Sequence, residues 1–502
     1  MSTCPSINSY GIDLMFMGRL VDANKTTEYF EYLTSNAKSN RPDIKNYTST
    51  GVFGNFGSFN VEKRDRVRCM SGLNSLPMSR QWQKTPYFYP IQVAQFGLQH
   101  YSRFLTDPPP QIRKIEANSL NSHSTKHPIS DTIYLEETSD FAIINLLPKL
   151  KFPVIKFQWM PLAPTSLFIF IVQDVETEQI YTINYQFSNK TDCVWPSPSS
   201  NDHSKNLDYF YSLGTFSSKN EYTTIIRDLN VDVIKAITSS MPPQKKDPLN
   251  LTNQIDQNKF KILSLTFRGA ATIKLPIYQQ TNAHKDAFLA SANWLCETQN
   301  SKERIGGWSV SVDRELSGIK NKLKAGWVSA MGQGHGISVL VRAYNLTNDQ
   351  KYFDTAARAL RLFEVEAIDG GVRNHFLGLP WYEEYPTQPP SLVLNGFIYS
   401  LIGLYDMSTL SGEAGLKAKQ LFEAGLDSLN VLLPFYDTGR GSSYDLKHAT
   451  VKSIPNLARP DYHKAHVYLL KWLYVITGNE LYQKFSNRWY NYQLGAHAQI
   501  NG

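Results

Sequence analysis

Leu379-Pro380-Trp381-Tyr382-Glu383-Glu384-Tyr385-Pro386 runs on to Pro389-Pro390 and then into Ser391-Leu392-Val393-Leu394-Asn395-Gly396-Phe397-Ile398-Tyr399-Ser400-Leu401-Ile402. The prolines exclude a continuing helix over the first segment, and Tyr385, standing before Pro386, is pushed toward extended backbone. The second segment is nearly all apolar and long enough to be a buried helix. Two adjacent carboxylates and three aromatic rings are thereby placed on an irregular loop at the mouth of a buried helix. Loops held by a rigid scaffold commonly carry chemistry. The alternative is that Trp381, Tyr382 and Tyr385 anchor a core while the glutamates face water.

Outward from this stretch the helical period holds from Ala283 onward, and a weak internal repeat runs through it. Val339-Leu340-Val341-Arg342-Ala343-Tyr344 gives way to a polar turn, and a new helix starts near Lys351-Tyr352-Phe353. The same shape recurs at Leu404-Tyr405-Asp406-Met407-Ser408 and at Leu473-Tyr474-Val475-Ile476-Thr477. Each copy is a helical hairpin, and several side by side make an α/α toroid, or incomplete barrel. Gly306-Gly307-Trp308, Gly326-Trp327 and Gly370-Gly371 punctuate the loops, which are expected to gather at one end around a cleft.

Before Ala283 the pattern is different. Residues from about 130 to 280 read as β-sheet: Ser166 to Val172 and Gln179 to Phe187 flank the polar segment Gln173 to Glu178, a hairpin signature. Lys259 to Phe267 and Ala271 to Ile277 continue the pattern, so a sandwich or barrel is expected. The first hundred residues are turn-rich. A β-hairpin arm is read there from Phe59 to Cys69 and from Pro86 to Gln92, followed by a short helix from Ile91 to Arg103. Arg64, Arg66 and Arg68 would then share one strand face, suited to carboxylate or sulfate; a solvated strand edge is the alternative. The expected organisation is multidomain α and β. It comprises an arm over 1–105, a β-sandwich or barrel over 106–280 and a toroid over 281–502.

A chain of 502 residues is too long for one core. Lys+Arg exceeds Asp+Glu, 51 against 44, but no run of five like charges occurs, so nucleic acid is not indicated. An aromatic content of 13%, led by 28 tyrosines, suits a sugar-binding cleft, although large β domains use aromatics too. Cys4, Cys69, Cys193 and Cys296 have no metal-ligand spacing, so zinc is not expected, and four cysteines in this length make no disulfide framework. Five Asn-x-Thr sequons, at Asn24, Asn46, Asn189, Asn250 and Asn345, permit glycosylation in a secretory lumen. No signal peptide or membrane anchor is readable.

Two further loops belong with the first: Tyr436 to His448, and Pro455-Asn456-Leu457-Ala458-Arg459-Pro460-Asp461-Tyr462-His463. Tyrosines, a glutamate and cations on such loops suit proton transfer beside a carboxylate. The chain has no Gly-rich phosphate loop, no G-x-S-x-G elbow and no H-E-x-x-H, so nucleotide, acyl-transfer and zinc-hydrolase chemistry lose support. His463 and His466 share a helix face; His466 is read as a hydrogen-bonded core residue.

These motifs resemble D-glucuronyl C5-epimerases, the enzymes of heparan sulfate and heparin synthesis. The resemblance runs from about Gly51 to Gly502. It is specific at Trp381-Tyr382-Glu383-Glu384-Tyr385-Pro386, Val393-Leu394-Asn395-Gly396-Phe397, Tyr444-Asp445-Leu446 and Pro455-Asn456-Leu457-Ala458-Arg459. In the arm it rests on Asn60-Val61-Glu62, Arg64-Asp65-Arg66-Val67, Gln81-Trp82 and Tyr87-Phe88-Tyr89-Pro90-Ile91-Gln92. It implies a homodimer in the Golgi lumen that inverts C5 of glucuronate to iduronate within heparosan or heparan sulfate, without a cofactor.

The resemblance places Glu384 and Tyr462 as bases on opposite ring faces, with Tyr385 and Tyr444 as supporting donors. It lines the substrate site with Asn395, Tyr399, Lys447, Asn456, Arg459 and His463, joined by Arg64, Asp65, Arg66, Gln81, Tyr89 and Gln92 from the arm. Arg459 and Lys447 are the candidate cations that would favour a phenolate. Three positions depart from the family: Lys447 stands for an arginine, Phe59 for a tyrosine and Pro460 for a tryptophan. The stretch Ile115 to Ser119 lacks most oxygen ligands of the family's calcium site, so calcium is not expected. A glycosaminoglycan lyase, which begins with the same proton abstraction, and an inactive heparan-binding protein are the rival readings.

Overall fold

The computed structural model describes side chains for residues 44–115, 131–146, 151–198, 207–218, 220–241, 259–299, 306–451 and 453–498. Strands Cys4–Ser6, Leu14–Phe16, Gly18–Asn24, Thr27–Tyr32, Asn36–Asn40 and Leu120–Ser122 are described as backbone only. The chain divides into two compact units. One comprises Met1–Phe59, Gly97–Leu105 and Ser291–Gly502; the other comprises Asn60–Phe96 and Thr106–Ala290.

The second unit contains a β-sandwich. Its seven-stranded sheet runs in the order Leu120–Ser122, Phe141–Asn145, Phe260–Arg268, Leu167–Asp174, Ile180–Gln186, Asn206–Ser212, Val194–Pro196. The second sheet runs Thr132–Leu135, Ala271–Gln280, Val154–Pro161, Thr223–Asp228, with Ile112–Ile115 also pairing on Ala271–Gln280. Along Leu167–Asp174 buried and part-exposed residues alternate strictly, as a strand with one covered face requires. The covered faces meet through aromatic rings: Phe157 lies 5.2 Å from Phe168 and 5.1 Å from Phe267, and Trp159 lies 5.3 Å from Phe168. Gly269, at φ +79, carries the chain from one sheet to the other, in a turn where a Cβ would meet the Thr165 carbonyl at 3.0 Å.

The arm differs from the expected hairpin. It is a small antiparallel sheet of three strands, Val67–Met70, Pro77–Ser79 and Tyr87–Phe88, followed by helix α1, Pro90–Thr106. Arg64, Arg66 and Arg68 do not share a strand face. Asn60 is left-handed and opens a short 3-10 turn, Val61–Lys63, so Arg64 and Arg66 fall in the turn before the strand. Only Arg68 is in the strand, and its guanidinium grips Asp192 at 3.0 and 2.6 Å. A disulfide joins Cys69 to Cys193, a pairing that sequence spacing did not reveal. Helix α2, Leu229–Ser240, starts where the Asp228 carboxylate accepts from Asn230 N and Val231 N, and its Lys235 Nζ donates to Arg64 O and Val67 O at 2.9 and 2.8 Å.

Helix α3, His284–Thr298, precedes the C-terminal helical region. Three helix pairs follow: α4 (Ala330–Thr347) with α5 (Gln350–Ala359), α6 (Leu394–Ser408) with α7 (Glu413–Leu432), and α8 (Pro460–Thr477) with α9 (Glu480–Gln493). The first members also touch one another, α4 against α6 and α6 against α8. Tyr344, Tyr405 and Tyr474 fall in the last turns of α4, α6 and α8, so the sequence repeat is a repeat of structure. Helix α8 is closed by the left-handed Gly478 and α4 by the left-handed Asn348.

No helix among the described residues is long and apolar enough to cross a membrane. Among the same residues no group of three or more His, Cys, Asp or Glu is arranged to hold a metal. Of the stretch considered for calcium, residues 116–119 lie outside the described residues.

Candidate active site

The opening octapeptide begins as a strand. Leu379–Tyr382 pairs antiparallel with Arg373–Phe376, and Trp381 and Tyr382, on opposite faces of the strand, are both buried. Trp381 stacks on Phe397 with centroids 3.7 Å apart, and Tyr382 Oη donates to Leu421 O at 2.8 Å. These two rings are core anchors. Past Tyr382 the ladder ends, and the two glutamates part ways, neither facing water.

Glu383 is fully buried. Its carboxyl accepts from Ser391 Oγ at 2.8 Å, from Ser391 N and Leu392 N at 3.1 Å, and from Asn374 Nδ2 at 3.3 Å. Its carbonyl accepts from Ala330 N at 2.9 Å, at the start of α4. Glu383 therefore pins the loop between the hairpin and α6. Burial nonetheless pushes its carboxyl up to about 7.

Glu384, 5% exposed, turns toward the phenols. Burial raises its carboxyl to about 7; a hydrogen bond with Tyr385, the Arg314 charge and Asn395 act in the opposite sense. Asn395 Nδ2, from the first turn of α6, donates to Oε2 at 3.3 Å. Tyr385 also hydrogen-bonds with Tyr444. With Glu384 ionised the Tyr385 phenol donates to it, which leaves the Tyr385 oxygen to accept from Tyr444. Burial and the Glu384 charge hold Tyr444 well above the usual phenol range. Tyr444 is placed by its backbone: its N–H donates to Asn456 O at 2.7 Å and its carbonyl accepts from Leu394 N at 3.1 Å, where α6 begins. The Tyr462 ring, in the first turn of α8, meets Tyr444 edge-on at 4.8 Å, and the Arg459 guanidinium lies 5.2 Å from the Tyr462 centroid. One carboxylate and two phenols thus form a hydrogen-bonded cluster, and the Tyr462 ring packs against its Tyr444 end.

The remaining expected residues divide. Asn395 is 4% exposed and its Oδ1 has no partner among the described residues, so the site holds one buried acceptor to spare. Asn456 Nδ2 donates to Asp445 at 2.6 Å and braces the Tyr444 loop. Arg459 is exposed and paired with Asp461 at 3.2 Å.

Three of the expected residues are engaged elsewhere within the protein. Lys447 does not present its ammonium to the cluster as a carboxylate clamp: it is 8% exposed and Nζ donates to Ser317 O at 2.7 Å. His463 has both ring nitrogens engaged within the protein. Nε2 donates to Trp489 O at 3.0 Å, so Nδ1 accepts from Ser442 Oγ, which in turn accepts from His466 Nδ1 at 2.8 Å. Tyr399 is an interior residue, 4% exposed, with its hydroxyl on that of Tyr468 and its ring against His335 and Phe56. One turn along α6 from Asn395 already lies in the core.

The arm residues belong to the second unit. Arg64 Nη1 donates to Gln95 Oε1 at 3.0 Å, and Arg66 Nη1 to Gln81 Oε1 at 3.3 Å. Asp65 receives both of its close contacts from Arg80, at 2.6 Å each. Tyr89 is buried edge-on to Trp82 at 5.3 Å. Gln92 is 2% exposed, and both polar atoms of its side chain lack partners among the described residues.

Comparison with known proteins bears on the whole chain. Residues 302–491 match the family described as D-glucuronyl C5-epimerase C-terminus, and residues 133–270 match D-glucuronyl C5-epimerase, beta-sandwich domain. A D-glucuronyl C5-epimerase of Caenorhabditis elegans is 41% identical over 521 residues, covering 94% of this chain and 83% of that one. The chain belongs to the D-glucuronyl C5-epimerase family. It is an epimerase, and so an isomerase. An uncharacterized protein of Methanocaldococcus jannaschii is 32% identical over 171 residues, 33% of this chain and 53% of that protein.

Sequence reading missed one residue beside the epimerase's cluster and the role of another near it. Arg314 lies with its guanidinium carbon 5.6 Å from the Tyr385 centroid, and the motifs around the loops held no signal for it. Glu383 was visible, but its structural role was not. Gly396 was quoted within a motif, and the geometry gives the reason for it. A Cβ there would stand 2.5 Å from Glu384 Cβ. Gly396→Ala is therefore expected to displace Glu384 and to cost about 10²-fold in turnover if the shift approaches 1 Å. Circular dichroism should show unchanged helix content. Turnover within twofold of the parent would mean that Glu384 tolerates the displacement.

Proposed function

We propose that this epimerase inverts C5 of D-glucuronate residues to L-iduronate within heparosan or heparan sulfate. The observation that carries the reading is a buried carboxylate, poised near neutrality, in a hydrogen-bonded cluster with two phenols and a third ring packed at its far end. The C5 proton is acidic because it lies next to the sugar's carboxylate. Glu384 on one face takes the proton as the C5–H bond breaks, and the electron pair moves into the carboxylate as an enediolate. Tyr462 on the other face supplies a proton from its hydroxyl to make the new C5–H bond. Tyr385 and Tyr444 donate hydrogen bonds where charge gathers, and Asn395 orients Glu384. The cycle closes when the two groups re-equilibrate with water, so no cofactor is consumed. The scaffold in this reading is an incomplete α/α toroid whose inner helices are α4, α6 and α8.

The remaining parts of the proposal are a homodimer in the Golgi lumen. The Cys69–Cys193 disulfide supports an oxidising compartment. Asn46 and Asn189 are exposed sequons suited to a lumen, whereas Asn345 lies inside α4 with its amide donating to Val341 O at 2.8 Å. Incubation of N-sulfated heparosan with the protein in deuterated water tests the reaction. Deuterium at C5 together with iduronate is the expected result. An unsaturated product absorbing in the ultraviolet would instead identify a lyase, and binding without label an inactive carbohydrate-binding protein.

In the arm, Arg64 and Arg66 are proposed to hold the anionic polymer. Arg64 donates to Gln95 Oε1 at 3.0 Å and Arg66 to Gln81 Oε1 at 3.3 Å, and two guanidiniums on one short turn suit a sulfate or carboxylate. Arg64→Ala and Arg66→Ala are expected to weaken polymer binding severalfold at low salt, with the loss shrinking as salt rises. Turnover at saturation should stay near the parent value. Equal affinity of parent and both variants at low salt would remove the arm from substrate binding.

A further inference from the structure

The segment from Asp313 to Ala325 folds back on itself: Arg314 N donates to Leu323 O at 2.8 Å and Leu323 N to Arg314 O at 2.9 Å. It extends the two short strands Ser309–Val310 and Trp327–Val328 and is seated by the buried Ile319. Two ties hold it to the catalytic loops. The Arg314 guanidinium lies on the Tyr385 ring at 5.6 Å, and Ser317 O accepts from Lys447 Nζ at 2.7 Å, three residues beyond Tyr444. Trp327, at the root of the hairpin, packs on the same Tyr385 ring at 5.8 Å. The hairpin is thus fixed against both loops that carry the polar cluster.

Electrostatics explain why a cation is needed there. Glu384 is 5% exposed and must be ionised to take a proton, while the sugar brings a second carboxylate beside it. Asn395 and Tyr385 are neutral donors. Of the cations near the cluster, Lys447 is committed to a backbone carbonyl, and Arg459 stands at Tyr462 with an ion pair to Asp461. Arg314 is the cation on the Glu384 side, and its charge acts on that carboxyl directly.

We propose that Arg314 is a positioning residue of the epimerase, whose guanidinium, seated on the Tyr385 ring, holds Glu384 in its proton-accepting form by its charge. This rests on the reading of Glu384 as a base. The hairpin then serves as the rigid mount for that charge, and anything that frees the hairpin lets the charge move away and weakens its hold on Glu384.

The test is the pH dependence of C5 hydrogen exchange on N-sulfated heparosan between about pH 5 and 9 for the full chain and its variants. The parent is expected to lose activity as pH falls through about 7, the value near which Glu384 protonates. Removing a nearby positive charge favours the neutral carboxyl, so the limb must move upward. Arg314→Gln and Arg314→Met are each expected to raise it by about one pH unit, a tenfold rate loss below the limb and a much smaller one at pH 9. Arg314→Lys, which keeps the charge, should return most of the shift. Ile319→Ala, which loosens the hairpin and lets the charge move away from Glu384, should raise the limb in the same direction as Arg314→Gln but by less. An unmoved limb in both Arg314→Gln and Arg314→Met, or the same shift in Arg314→Lys, overturns the proposal. Parent-like exchange in Glu384→Gln would overturn the underlying reading instead, and is a separate outcome.

Discussion

Glu384→Gln and Tyr462→Phe are each expected to cut conversion of glucuronate to iduronate by about 10²- to 10⁴-fold, the range for loss of a general acid or base. Exchange need not vanish with inversion. Glu384→Gln leaves Tyr462 able to remove and return a proton on its own face, and Tyr462→Phe leaves Glu384 the same ability on the other. Each variant should exchange C5 hydrogen for deuterium in one epimer only, and the two should choose opposite epimers. Tyr385→Phe and Tyr444→Phe, which remove donors from the chain linking the bases, should depress exchange in both epimers together. Measuring label by mass spectrometry after separating the two uronates distinguishes these outcomes. If Glu384→Gln and Tyr462→Phe both invert at close to the parent rate, the two-base assignment is wrong.

Glu384→Gln carries a second signature. Its carboxyl titrates near 7 in the folded protein and near the ordinary 4.5 when unfolded, so the folded state binds more protons between those values. Stability attributable to the neutral form is therefore present below about 4.5 and lost as pH rises through about 7. Glutamine cannot ionise. The variant should be more stable than the parent above pH 7 and converge with it at low pH, a trade of stability for a charged base. Thermal midpoints at pH 5 and pH 8 measure the difference, and an equal offset at both would contradict the assignment.

Arg342→Ala is expected to destabilise the helical unit by about 3–5 kcal/mol, because it strips the partner from a carboxylate that cannot reach water. Arg342 on α4 and Asp406 on α6 are both fully buried and meet at 2.6 Å. The guanidinium also donates to Tyr47 Oη at 3.0 Å, to Gly51 O at 3.2 Å and to Ser338 O at 3.1 Å, and Tyr47 donates to Asp406 at 2.6 Å. The rings of Phe53 and Tyr101 flank the guanidinium at 5.1 and 5.7 Å. One cation thus joins two helices to the segment around residues 47–53. Asp406→Ala should cost a similar amount, while the double change Arg342→Ala with Asp406→Ala should cost clearly less than the two single changes added, since neither charge is then left alone. Denaturant unfolding of the four proteins completes the cycle. Additive losses would show that the two side chains act independently.

Several features were legible because they are local. The prolines excluded a helix across Leu379 to Pro390, although the strand Leu379–Tyr382 was read only as irregular loop, and the apolar run after Pro390 predicted a buried helix that is α6. The repeated pattern of apolar helix, tyrosine and polar turn predicted the helix pairs, since side-chain burial along a helix repeats with its own pitch. Two apolar and aromatic runs flanking a polar turn predicted the strands Leu167–Asp174 and Ile180–Gln186 as a hairpin. Where the arm failed, it failed locally too. Alternating arginines suggested a strand face, but left-handed Asn60 and the following turn begin the strand only at Val67.

Other features depend on contacts distant in the chain, which no window of sequence carries. Glu383 and Glu384 are identical in composition and neighbours in sequence; their roles separate because the ladder ends at Tyr382, one carboxyl meets the amides of Ser391 and Leu392, and the other meets Asn395. His463 stands one residue from Tyr462, yet the turn of α8 aims it at Ser442 and Trp489. Cys69 and Cys193 are 124 residues apart and meet only because the arm strand and the sandwich belong to one unit. Arg314 comes to Tyr385 through the return of its hairpin. By itself the sequence determined where helices and strands form and which loops carry carboxylate and phenols, because these follow from periodicity and breakers within short spans. Only the tertiary structure decided which of those side chains share a charge, a proton or a burial cost, because electrostatic and desolvation energies depend on distances that the chain sets by folding.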